Sequence, residues 1–195
     1  MPFMAPAADN ERAGLRGFLV QQLDGVRHTS FGLTEEQIRL SPARSALSVG
    51  GLLKHVTLTV NGWASRAEAA PEVPDFDPEV DGAVECMDFI VTDDESLASL
   101  LTEFDEASAR ILAVAETKDL EAVAPVPNAP WFPKDLDGWS VRWILLHVIE
   151  EVARHAGHAD IIREQVDGAT MYELIAAAEN TGDLGFVQPW TPPEQ

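Results

Sequence analysis

One stretch constrains the fold more than any other: SVRWILLHVIEEVARHAGHADIIREQVDG, residues 140–168. Its apolar residues recur at helical spacing, Ser140 is placed to cap the start and Gly168 to stop the end. The spacing therefore predicts one long helix from about Val141 to Val166. Advancing about 100° per residue from His147 puts Glu151 near 40°, His155 near 80° and His158 near 20°. Ile144, Val148, Val152, Ala159, Ile162 and Val166 span about 60° to 140° on the same wheel. Glu150, Arg154, Gly157 and Glu164 fall on the opposite side, so Glu150 and Arg154 belong to solvent. Glu151 and His155, four residues apart and one above the other, lie at the margin of the buried face.

Three more helical patterns accompany it. The first runs from about Asn10 to Val26, the second from about Val49 to Ala67 behind Ser48. The third opens on a T-x-x-E box, Thr92 and Glu95, ahead of Leu97, Leu100, Leu101, Phe104, Ala107 and Ile111. Residues 70–91 are acidic and proline-rich and read as a long crossover loop, while residues 121–139 leave room for a short hairpin. A short helix near Met171–Asn180 precedes a tail, GFVQPWTPPEQ, expected to pack on the domain or on a partner. With no repeats and no second domain in view, the expectation is one domain over residues 1–195. Its bundle core spans about residues 10–168, with a short helix and tail over 169–195. Long amphipathic helices with few strands imply an all-α fold, a four-helix bundle.

A buried carboxylate without a partner either protonates or costs several kcal/mol, so Glu151 calls for a cation, and Arg154 points away from it. A Glu and a His at i, i+4 can converge on one ion, as in metal sites built inside helix bundles. A third ligand must come from another helix, and His55 in SVGGLLKHVTLTV is the candidate, standing among Leu52, Leu53 and Val56. Gly50 and Gly51 just before it would let another helix approach closely. An imidazole–carboxylate set suits Zn, Ni, Fe or Mn, and three protein ligands leave coordination open for chemistry. Each piece also has a plain reading, a satisfied core histidine or a helix-surface Glu–His hydrogen bond. His147 and His158 share the arc, and spacing alone leaves either able to replace a member of the trio or to orient it from behind. His28, beside Arg27 near the end of the first helix, reads as surface or loop.

Charge narrows the partners. Thirty-three acidic residues against 13 basic ones give a formal net charge of −20. That excess repels phosphate backbones and anionic membrane surfaces, so neither nucleic acid nor membrane is expected as a partner. It also favours cations near the surface. The lone cysteine, Cys86, excludes an internal disulfide framework and fits a reducing compartment, and its acidic neighbours argue against a reactive thiolate. The N-terminus MPFMAPAADNER lacks the basic and apolar regions of a secretory signal, so the expected location is cytoplasmic.

The segments SVGGLLKHV…W and SVRWILLHVIEEVARHAGHAD together resemble the DinB/YfiT-like superfamily, and within it the DUF664 branch of mini-circle proteins. The likeness covers about residues 10–170. It implies an up-down-down-up four-helix bundle with a central metal site held by a histidine on the second helix and two residues four apart on the last. Carried onto this chain, those positions are His55, Glu151 and His155. Many relatives have three histidines. Glu151 in the middle place is similar to the mycothiol-dependent maleylpyruvate isomerase branch, whose metal set also contains a carboxylate. The resemblance implies one divalent metal ion, with Zn first and Ni, Fe or Mn as alternatives. It also implies a low-molecular-weight thiol of mycothiol type as co-substrate, a small-molecule electrophile as substrate, and pairing as a homodimer. His158 is the candidate for a residue behind the ligands or facing substrate. Metal-dependent hydrolysis by activated water, or a non-catalytic stress-related binding bundle, are the competing expectations.

Overall fold

The computed structural model describes residues 3–73, 87–126 and 133–192. Cys86 lies outside the described residues. The described residues form five α-helices: α1 (Glu11–His28), α2 (Val49–Ala69), α3 (Leu97–Thr117), α4 (Val141–Asp167) and α5 (Met171–Ala178). A two-stranded antiparallel ribbon, β1 (Val123–Pro125) and β2 (Gly138–Ser140), forms the hairpin that the proline-rich segment left room for.

Short polar side chains set the helix starts. Asn10, Ser48 and Ser140 each accept a hydrogen bond from the backbone N–H three residues on, satisfying a donor that the first turn cannot. α4 stops at Gly168, whose φ of 81° is the left-handed conformation that glycine adopts without a Cβ penalty. The start of α3 corrects the sequence reading. Thr92 and Glu95 do close a hydrogen-bonded turn, with the Thr92 N–H donating to Glu95 Oε2 at 2.7 Å. The cap of α3, however, is Ser96, paired reciprocally with Ser99. Glu95 is instead drawn to Lys54 of α2, at 2.8 Å.

The four long helices form a bundle in which α1 and α2 each pack on both α3 and α4. Side-chain pairs fix the directions. Arg142 at the start of α4 reaches Glu11 at the start of α1, and Arg110 of α3 and Lys118 at its C-cap reach Ser65 and Glu68 of α2, so both pairs run parallel. Arg27 of α1 meets Asp105 of α3, while Arg12 meets the carbonyls of Ala115 and Lys118, an antiparallel pair. The up-down-down-up order expected from the family resemblance follows. Leu19, Leu53, Val56, Phe104, Ile111, Ile144, Leu145, Val148 and Val152 fill the centre and are almost fully buried. The apolar arc read from α4 is thus the face that meets the other helices.

The tail packs on the bundle. Trp190 lies 4.8 Å from the guanidinium of Arg163 and edge-on to Phe31, and its ring occupies the space a side chain would need at Gly32. Arg163 itself is completely buried; it pairs with Asp167 at 2.9 Å and donates to the carbonyls of Thr29 and Phe31. Its charge is therefore matched on every side. Among the described residues no helix is long and apolar enough to cross a membrane.

Candidate metal centre

α2 and α4 run antiparallel, which brings His55 opposite the turn that carries Glu151 and His155. His155 Nε2 lies 3.1 Å from Glu151 Oε1, and His55 Nε2 lies 3.7 Å from the same oxygen. All three ligand atoms fall within 4.8 Å of one another, a group that could hold a metal ion. The side chains are 17, 26 and 11 % exposed for His55, Glu151 and His155, so the group sits at the edge of the core with solvent access on one side. The i, i+4 spacing and the wheel position place them as read from sequence. Glu150 and Arg154, by contrast, pair loosely with each other in solvent.

The donor atoms fit a metal ion in two respects. A tetrahedral metal with ligands at about 2.0–2.1 Å holds its donors about 3.3 Å apart, and the two Nε2···Oε1 separations bracket that spacing. An ordinary Glu–His hydrogen bond accounts for His155 but leaves His55 Nε2 turned toward an oxygen beyond hydrogen-bonding range. Its other neighbour, the Thr59 hydroxyl, stands at 3.5 Å. The Nδ1 atoms of both histidines are buried and find no hydrogen-bond partner among the described residues. Two imidazoles and a carboxylate converging on one point suit a borderline divalent cation such as zinc.

Electrostatics agrees. The His155 hydrogen bond first, then His55, outweigh burial and hold the Glu151 carboxyl well below the usual carboxylate range. Glu151 is therefore anionic at any physiological pH. Among the described residues no Lys or Arg pairs with it.

Phe89 was not foreseen. It lies in a 3₁₀ turn, Met87–Phe89, and its ring stacks on His55 at 4.0 Å and 18°, with His155 at 5.9 Å. The glycine pair explains how it arrives there and corrects the expected helix contact. A Cβ on Gly51 would collide with the Phe89 carbonyl, and one on Gly50 with the Ile38 carbonyl and Val91. The glycines therefore admit loop backbone rather than a helix. Nothing local in the sequence links Phe89 to His55.

The other histidines separate. His158 is exposed and its ring stands 5.8 Å from that of His155, beside the trio. His147, one turn before Glu151, stacks on Trp143 and meets the edge of Trp63. His28 is buried, against the surface reading. Desolvation, then nearby positive charge, lowers its pKa to about 4, so it stays neutral in the folded protein.

A family model described as MST, mycothiol-S-transferase, matches residues 14–168, a span that contains the whole trio. No curated protein matches the chain. Among solved structures, the chain is similar to the crystal structure of a conserved protein from Enterococcus faecalis. The TM-score is 0.58 and the identity 17 %, over 83 % of this chain and 100 % of that one. At that identity the likeness speaks for the fold alone.

Proposed function

The chain belongs to the mycothiol S-transferase family, and on that premise we propose that it is a metal-dependent transferase. In this reading it carries the sulfur of a low-molecular-weight thiol, of mycothiol type, to a small electrophile. The observation that carries the reading is the convergence of two imidazole nitrogens from different helices on one anionic carboxylate oxygen. His55, Glu151 and His155 would hold one divalent ion, zinc first by its donor preference. When bound, such an ion lowers the pKa of a thiol so that it ionises near neutral pH.

The chain's own residues do the rest. Glu151 contributes one negative charge to the ligand set, moderating the acidity of whatever binds there, as in the maleylpyruvate isomerase branch. Phe89 lies over one face of His55 and keeps water from it. The reaction class balances simply. A sulfur–carbon bond forms, the thiol proton passes to solvent, and the leaving group departs with its bonding pair or the attacked double bond takes up a proton. A thiol co-substrate persists in a reducing compartment, which supports a cytoplasmic setting. Residues 1–195 act as one domain in this reading.

Metal analysis of the purified protein tests it. One equivalent of divalent metal is expected in the parent protein and almost none in His55→Ala or His155→Ala, with thiol conjugation lost alongside. Full metal content in His155→Ala, with conjugation intact, would overturn the ligand assignment. Ester or amide turnover without added thiol would redirect it to hydrolysis.

A further inference from the structure

The two ends of the trio differ. Toward the N-terminus of α2, Phe89 stacks on His55, and His158 stands beside His155. Toward the other end, Thr59 and Trp63 follow His55 on α2, facing His147 and Trp143 on α4. There the aromatic rings form an ordered stack. Trp139, Trp143 and His147 lie nearly parallel, at 5.3 Å and 17° and then 5.1 Å and 15°. Trp63 stands edge-on to all three, at 5.4, 5.7 and 4.7 Å.

Core packing explains only the far end of this column. Trp139 is buried, but Trp143 is 40 % exposed and His147 is half-buried, so the rings beyond Trp139 reach solvent. His147 is its terminal ring. One helical turn, about 6 Å, separates it from Glu151. Its Nδ1 lies 3.6 Å from Glu150 Oε2, at the rim.

We infer that this column, with His147 as its terminal ring, is the binding wall for the electrophile. The inference rests on the thiol-transferase reading of the trio. A second substrate must place its reacting carbon about 3–3.5 Å from the sulfur. Phe89 covers one flank of the trio, and among the described residues His147 stands on the other. Aromatic walls favour flat, conjugated partners through offset or edge contacts. The strong negative charge of the protein disfavours an anionic partner. The ligand class is an uncharged, planar, conjugated electrophile, aromatic or α,β-unsaturated. His147 contacts it, while Trp143 and Trp63 are positioning residues that fix the plane of the imidazole.

The test uses the metal-loaded protein and nitrobenzene, a flat molecule that does not react with thiols under these conditions. Binding is read without thiol, by quenching of tryptophan fluorescence and by calorimetry. His147→Ala should weaken binding about 3- to 10-fold, His147→Phe should restore it, and Trp143→Leu should weaken it in the parent but add little in the His147→Ala background. With thiol present, KM for 1-chloro-2,4-dinitrobenzene should rise by the same factor in His147→Ala while KM for compact iodoacetamide stays constant. Metal stoichiometry, measured on the same samples, should not change. The inference is overturned if nitrobenzene does not bind the parent protein, if it binds parent and variants equally, or if KM rises alike for both electrophiles. A parent protein that binds nitrobenzene but holds no metal would instead sink the transferase reading and leave the aromatic wall standing.

Discussion

Gly51→Ala distinguishes helix propensity from close packing by the sign of one number. Gly51 lies in the first turn of α2, and propensity alone credits alanine there with up to about 1 kcal/mol of stability. The added Cβ, however, would sit 2.8 Å from the carbonyl carbon of Phe89 and closer still to its oxygen. Carbon atoms rest about 3.5–4.0 Å apart, so the segment around Phe89 must retreat by roughly 1 Å. That segment is tethered: Lys54 Nζ donates to the Ile90 carbonyl at 3.0 Å and pairs with Glu95. Overpacking of this kind costs about 1–3 kcal/mol, which cancels the propensity gain and leaves a net loss of up to about 2 kcal/mol. Gly157→Ala is the matched control. Gly157 lies on the exposed face of α4 with nothing within 4 Å of an added Cβ, so the same substitution should gain about 0.5–1 kcal/mol. Urea unfolding followed by far-ultraviolet circular dichroism gives both values. Because Phe89 stacks on His55, zinc affinity by calorimetry should fall in Gly51→Ala and hold in Gly157→Ala. Equal stabilisation by both substitutions would refute the close approach and, with it, the account of how Phe89 is placed.

Two further outcomes follow from buried charge. Burial first, then Glu164, raises the Asp160 pKa to about 6. The folded state therefore takes up a proton before the unfolded state does as pH falls, and stability is lost as pH rises from about 4 to about 6. Asp160→Asn should raise stability at pH 7 by about 1 kcal/mol, discounted for partial solvent exposure, and the gain should vanish by pH 4 in a series of thermal melts. Arg163→Ala leaves the Asp167 carboxylate without its cation and two carbonyls without their donor, and should cost about 3–5 kcal/mol in denaturant unfolding. A loss below about 1 kcal/mol would mean that water replaces the guanidinium there.

The faces of α4 were legible because each residue's direction is fixed by local periodicity alone. Ser48, Ser140 and Gly168 were legible for the same reason: a cap acts on backbone within a few residues of itself. Thr92 and Glu95 show the limit of that rule. Their box forms, but Ser96 offers a second cap one turn later, and the pull of Lys54 on Glu95 decides between them from another helix. Phe89, Arg163 and His28 are the same failure at longer range. Each owes its environment to segments brought alongside by the bundle, such as the Thr29 and Phe31 carbonyls that receive Arg163. The aromatic column left a faint signal, an i, i+4 Trp143–His147 pair behind Trp139. Its third helix-borne wall, Trp63, needed the antiparallel register of α2 and α4.

Two carboxylates on α4 show most directly why the trio is more than a helix-surface contact. Glu151 and Asp160 are both partly buried, and among the described residues neither pairs with Lys or Arg. Basic residues are scarce in this chain, and those present go elsewhere: Arg110 to Glu68, Arg142 to Glu11 and Glu121, Arg163 to Asp167. Left to burial, a carboxyl drifts upward, and Asp160 does so, to about 6. Glu151 moves the other way, well below the usual carboxylate range, because imidazole nitrogens from two helices face its oxygen. The fold thus holds one carboxylate charged where its neighbour on the same helix is driven toward neutrality. Two imidazole nitrogens and a fixed negative charge, left without a Lys or Arg partner among the described residues, are an arrangement that could hold a divalent ion.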